Sequence, residues 1–147
     1  MKGSTHLVFG LLLSALLTQI VGYERPVLAI LLILFGSLLP DVDEKSSRFG
    51  RHVPIISYFT KHRTFFHSIL FGVTCVVALS LLVEKPYVLA FVAGFSSHLL
   101  LDAMTPAGVK PFWPSNLKLS GFVRVGGLLE KTFFILLVLV FVWLLIN

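Results

Sequence analysis

The chain has 147 residues, 56% hydrophobic and only 13% charged, with a mean hydropathy of +0.95. Soluble domains carry about 25% charged residues, so a soluble globular enzyme and a disordered chain are both excluded. The net charge is +5, but in so apolar a chain a basic excess reports membrane topology rather than nucleic-acid binding. The single cysteine, Cys75, lies in an apolar run, which excludes an internal disulfide and a four-cysteine zinc site.

The expected fold is all-α: one integral membrane domain over residues 1–147, built as a single bundle of five transmembrane helices. Five apolar stretches carry this expectation, at residues 7–22, 26–39, 67–83, 86–101 and 132–146. Each falls short of the ~20 residues that cross ~30 Å of hydrocarbon. Flanking residues extend them to approximate spans 5–22, 25–40, 65–83, 86–102 and 130–146. Thr5 is placed to cap the first helix, and Pro26 and Pro86 suit first-turn positions. The second stretch is the hardest to lengthen, because Pro40 and Asp41 follow it. The start of the chain also resembles a secretory leader, but residues 18–23 offer no small-x-small cleavage site, so a retained helix is expected.

The connections alternate between tiny (residues 23–25 and 84–85) and long and polar (residues 41–66 and 102–131). With five spans, the N-terminus and both long loops share one side. That side carries Lys2, Lys45, Arg48, Arg51, Lys61, Arg63, Lys110, Lys118, Arg124 and Lys131; the other carries Arg25 and Lys85. The positive-inside rule then predicts the N-terminus and long loops in the cytoplasm and the C-terminus outside. Residues 111–127 are open between a short hairpin, an interfacial segment anchored by Trp113, and an irregular loop.

The ionisable residues gather on that same side. His6 starts the first helix, and Asp41 and Asp43 follow the second. His62, Arg63 and His67 lead into the third, His98 and Asp102 end the fourth, and Glu130 precedes the fifth. Ionisable groups are costly in a membrane and mark a site or a pathway. His98 and Asp102, at i and i+4, share a helix face and can bind one metal, or Asp102 can orient an imidazole. Asp41 and Asp43 would point the same way in an extended segment and would repel without a cation or proton between them. Mixed His and carboxylate ligands suit zinc, or manganese, better than calcium. Arg63 reads equally as a topology signal or as a cation for a phosphate or carboxylate. Glu130 reads as a helix N-terminal charge, a ligand or a general base.

Three runs carry a family resemblance: Gly36-Ser37-Leu38-Leu39-Pro40-Asp41-Val42-Asp43, His62-Arg63-Thr64-Phe65-Phe66-His67-Ser68, and the stretch from Ser97 through His98, Asp102 and Thr105-Pro106 to Val109. Together they resemble the YdjM-type family of LexA-regulated, inner-membrane-associated, metal-dependent hydrolases, over the chain from His6 to Glu130. The resemblance implies a metal set of His6, Asp41, Asp43, His62, His67, His98 and Asp102, holding one or two divalent ions, and matches Glu130 to a late acidic position. The chain departs from the family at Thr64-Phe65, where Gly-Pro is usual. The expected function is a membrane-embedded hydrolase cleaving an ester or phosphoester of a lipid or lipid-linked substrate at the cytoplasmic face. Asp43, Asp102 or Glu130 is then the general base, and Arg63, with Lys61 or Arg124, binds the anionic headgroup. The alternatives are a metal or proton transporter and a regulator with a structural metal. Other membrane hydrolases fit less well: Val92 stands where lipid phosphatases need Arg, and neither a His-Glu-x-x-His nor a Gly-x-Ser-x-Gly motif is present.

Overall fold

A computed structural model of the chain describes residues 1–44 and 63–146. Among these residues the protein is all-helical: α1 (Gly3–Val21), α2 (Pro26–Leu38), α3 (Ile69–Ser80), α4 (Lys85–Ala103) and α5 (Leu128–Ile146). Two 3-10 turns, Leu39–Asp43 after α2 and Phe65–His67 before α3, carry polar residues inward. Pro26 and Pro86 do sit in first turns, where a missing N–H costs nothing. Thr5 is not the cap of α1. The helix starts at Gly3 with no side-chain cap, and the Thr5 hydroxyl donates instead to Glu130 Oε1 at 3.0 Å.

Four helical segments are long and apolar enough to cross a membrane: Gly3–Val21, Pro26–Asp43, Lys85–Ala103 and Leu128–Ile146. The third expected span differs. Its helix, α3, has 12 residues, about 18 Å of rise, short of the hydrocarbon thickness. The reason is local. Ser68 caps α3 by accepting from Phe71 N at 3.2 Å, and the residues before it are used in the turn that carries His67.

The bundle is organised by α2 and α4, the pair in most extensive contact. In lipid the hydrophobic effect does not drive helices together, so close packing of small residues must do so. A Cβ on Gly94 would stand 2.0 Å from Ile33 O, and one on Gly36 would stand 2.4 Å from Phe91 O. The two backbones therefore touch. Ala29, Ile33, Ala90 and Phe91 close around this contact with no exposed surface. At the end remote from the polar turns, Tyr23 and Tyr87 pack together and the Tyr87 hydroxyl accepts from Arg25 N at 3.0 Å. Helix α5 packs on α1 and keeps most of its apolar surface outward, toward lipid. The loop between α4 and α5 is tied by one antiparallel pair, Val109 and Leu119, with both N–H···O distances 2.9 Å; this is a minimal hairpin.

This contact generates a test. Replacing Gly94 by Ala raises helix propensity by up to ~1 kcal/mol in an open helix. Here it should instead destabilise the protein by about 1–3 kcal/mol, because the helices must part. Gly3→Ala, with nothing within 4 Å, should be neutral or slightly stabilising. Unfolding midpoints in detergent read both. Equal midpoints for Gly94→Ala and wild type would mean the backbones are not in contact.

Candidate metal centre

The α2–α4 contact carries the polar residues with it. Helix α2 ends at Leu38, about half a turn beyond Gly36, and α4 ends at Ala103, about two and a half turns beyond Gly94. Asp41 therefore arrives beside His98 and Asp102. The turn Phe65–His67 adds His67, and the first turn of α1 adds His6. His6, Asp43, His67, His98 and Asp102 are buried, while the Asp41 side chain keeps 17% of its surface exposed.

His98 is the hub. Its Nδ1 lies 2.8 Å from the Ser37 carbonyl, an acceptor only, so Nδ1 carries the proton and Nε2 presents a lone pair. That lone pair faces His67 Nε2 at 3.3 Å, Asp41 Oδ1 at 3.6 Å and Asp102 Oδ2 at 4.0 Å. His67 Nε2 lies 3.8 Å from Asp41 Oδ1 and 3.7 Å from Asp102 Oδ2. A tetrahedral ion with bonds of 2.0–2.1 Å separates its ligand atoms by about 3.3–3.4 Å. The observed separations match that value or slightly exceed it, so the residues present fit a divalent ion. The donors are all nitrogen and carboxylate oxygen, which suits zinc or manganese.

Two triads meet the distance requirement, His6–His98–Asp102 and Asp41–His67–His98. They share His98, whose Nδ1 is committed to Ser37. His98 can therefore serve one ion only, and the two triads are alternative or merged halves of one site. His6 stacks on His98 with ring centroids 3.9 Å apart, and its Nε2 lies 3.2 Å from Asp102 Oδ1. The buried His6 Nδ1 has no hydrogen-bond partner among the described residues. The Met1 amine also contacts Asp102 Oδ1.

Asp41 and Asp43 do not point the same way, because they lie on a 3-10 turn and not an extended segment. Asp41 faces His67 Nε2, whereas Asp43 Oδ2 lies 3.9 Å from His67 Nδ1 on the far side of the ring. A carboxylate behind an imidazole orients it and raises its basicity. Arg63 adopts φ +64°, a left-handed conformation that costs a non-glycine residue about 1–3 kcal/mol. The guanidinium is held by three groups: Asp102 Oδ2 at 3.3 Å, Thr105 Oγ1 at 3.1 Å and the Gly108 carbonyl at 3.3 Å.

Glu130 is placed differently. It is buried, but its carboxylate accepts from Lys2 N at 2.6 Å, Thr5 Oγ1 at 3.0 Å and Gly126 N at 2.5 Å. It joins the start of α1 to the start of α5 rather than facing the cluster imidazoles. Arg124 is exposed on the loop leading into α5, and Lys61 and His62 lie outside the described residues. Two contributors were missed in the sequence. Ser37 acts through its carbonyl, which no side-chain pattern reveals. Thr105 is fully buried and links Arg63 to the Asp102 carbonyl, and a hydroxyl three residues after Asp102 was the available signal.

Fold and site together define a small multi-span membrane protein with a buried His/Asp centre at one end of its bundle. The chain belongs to the YdjM inner membrane protein family, whose sequence model matches residues 1–147. It is 32% identical over 138 residues to the uncharacterized protein YvsG of Bacillus subtilis (strain 168), covering 89% of this chain and 86% of that one. It is 35% identical over 88 residues to the inner membrane protein YdjM of Escherichia coli (strain K12), and equally to that of Shigella flexneri. Those matches cover 52% of this chain and 44% of each relative. No solved structure matches the chain.

Removing the Glu130 carboxylate strands one buried hydroxyl and two backbone donors. Glu130→Ala should therefore lower stability by about 1–3 kcal/mol while leaving bound-metal stoichiometry unchanged. Unfolding in detergent, with elemental analysis of the folded fraction, reads both. Loss of metal at unchanged stability would instead make Glu130 a ligand.

Proposed function

We propose that this protein is a membrane-embedded, metal-dependent hydrolase acting on an ester or phosphoester of a lipid or lipid-linked substrate. The observation that carries the reading is the meeting of His67 Nε2 and His98 Nε2, 3.3 Å apart, with Asp41 Oδ1 and Asp102 Oδ2 each within 4.0 Å of both, and His98 Nδ1 committed to Ser37. Buried carboxylates and imidazoles at membrane depth are a large cost without a function. A divalent ion, zinc or manganese, supplies Lewis acidity toward an ester or phosphoryl oxygen and makes water a better nucleophile at neutral pH.

The chain's own residues then divide the work. Asp41, His67, His98 and Asp102 would hold the ion, and the Asp43 carboxylate stands 3.9 Å behind the ring of His67. The pair His6 Nε2 and Asp102 Oδ1, 3.2 Å apart, stands beside the site. Asp102 is the preferred acid–base residue because it faces the cluster imidazoles directly, whereas Glu130 joins the starts of α1 and α5 and Asp43 lies behind His67. Arg63 keeps part of its surface exposed and places a cation where an anionic headgroup would enter. The side of entry is read from the basic asymmetry, ten residues against two when residues 65–83 are counted as a crossing, since α3 starts beside Pro111 and the chain after it ends beside Arg25; this favours a cytoplasmic site with the N-terminus inside and the C-terminus outside.

Transport fits less well. Away from the cluster the bundle is closed by Ala29, Ile33, Tyr87 and Ala90, with Leu13, Leu17 and Leu32 against them. A carrier needs polar access from both sides, with a site near the midplane.

The test is hydrolysis of phospholipids and lipid-linked phosphoesters by detergent-purified protein, before and after chelation. The account expects turnover that chelator removes, that zinc or manganese restores, and that His98→Ala abolishes. Arg63→Gln should raise KM for anionic substrates more than it lowers kcat. Absence of turnover in metal-loaded protein across lipid ester and phosphoester classes would reject the hydrolase reading and favour a regulatory metal.

A further inference from the structure

A second site lies outside the His/Asp cluster, in the groove between the starts of α1 and α5. It is a cavity of about 310 Å³ whose lining includes Lys2, Ser4, Glu130, Lys131, Phe134 and Ile135. Its upper end is basic. The Lys2 side chain lies over Gly126, and Lys131 opens on the same space. Glu130 is the one acid on the wall, and three donors already occupy its oxygens. Helix α1 has no acidic residue in its own first turn, and Glu130, accepting from Lys2 N, already faces the positive end of its dipole, so the two lysines are the groove's available cations. The lower end is apolar. Phe134 is half-buried, and Ile135 is 57% exposed on the outward face of α5.

Both helices are of membrane-spanning length, so their starts fall near the membrane–water boundary. The groove therefore runs from cationic at the boundary to apolar toward the hydrocarbon. A phospholipid has the same order, phosphate first and acyl chain after. A choline headgroup would bring its own cation against two ammonium groups. We propose that this groove docks one anionic phospholipid, with its phosphate held by Lys2 and Lys131 and an acyl chain along Phe134 and Ile135. The proposal is independent of the metal centre: no residue of the groove is a metal ligand, and the lipid need not be a substrate.

The experiment is native mass spectrometry of the full chain released from detergent micelles doped with equal phosphatidylglycerol and phosphatidylcholine. Wild type should retain phosphatidylglycerol about 10- to 30-fold over phosphatidylcholine, the effect of two lysines at a membrane surface. Lys2→Gln/Lys131→Gln should bring that preference to within about 2-fold. Lys110→Gln/Lys118→Gln, which removes as much charge from the loop between α4 and α5, should keep it. Ile135→Trp alters no charge and should weaken retention by filling the chain groove. Lys2, Lys118, Lys131 and Ile135 are exposed and Lys110 is half-buried, and unfolding midpoints within a few degrees of wild type confirm the fold of each variant. Three results would overturn the proposal. The first is equal retention by wild type and Lys2→Gln/Lys131→Gln. The second is an equal loss in the loop variant, which would mean bulk charge. The third is displacement of the lipid by equimolar glycerol 3-phosphate, which would mean a soluble phosphate site.

Discussion

The structure depends on one contact, the backbone-to-backbone approach of α2 and α4 at Gly36 and Gly94. No side chain can be inserted there without pushing Ile33 or Phe91 away. The contact sets the depth of both helix ends. It brings the Ser37 carbonyl to His98 Nδ1, and it delivers Asp41 to the opposite face of the same imidazole. Thus a packing constraint between two glycines becomes a tautomer, and the tautomer becomes an available lone pair.

The centre is expensive, and the surrounding structure shows how the cost is met. Three imidazoles and three carboxylates sit together at a helix-bundle end, most of them buried. Three of the six have a neighbouring group of the right kind: Ser37 for His98, Asp43 at 3.9 Å for His67, and Arg63 for Asp102. Arg63 itself stands in a left-handed conformation secured by Thr105 and Gly108. Strain and buried charge are concentrated at this one place and supported from several segments, which is the observation the proposed metal site rests on. Glu130 uses the same physics for another purpose, fastening the starts of α1 and α5 beside Lys2 and Lys131.

Much of this was legible in the sequence, and the reasons it stopped are physical. The all-helical membrane fold follows from long apolar runs, and the gathering of His and Asp at one end follows from their positions beside those runs. The short α3 was not legible, because hydropathy at 67–83 does not reveal that Ser68 caps the helix and that the preceding residues form a turn. The divergence of Asp41 and Asp43 depends on a 3-10 turn, whose i, i+2 geometry differs from a strand's. The small-x-x-x-small pair Ala90 and Gly94, which sits at the α2–α4 contact, went unread in the sequence. Ser37 acts through a backbone carbonyl and left no side-chain signature.

The central claim is that His67, His98, Asp41 and Asp102 form one divalent-ion site. X-ray absorption at the zinc edge of metal-loaded, detergent-purified protein tests it most directly. The account predicts a first shell of nitrogen and oxygen only, with about two imidazoles per ion at the usual bond lengths of 2.0–2.2 Å, and loss of the imidazole signal in His98→Ala. A sulfur scatterer from Cys75, or a shell without imidazole in the wild type, would contradict it.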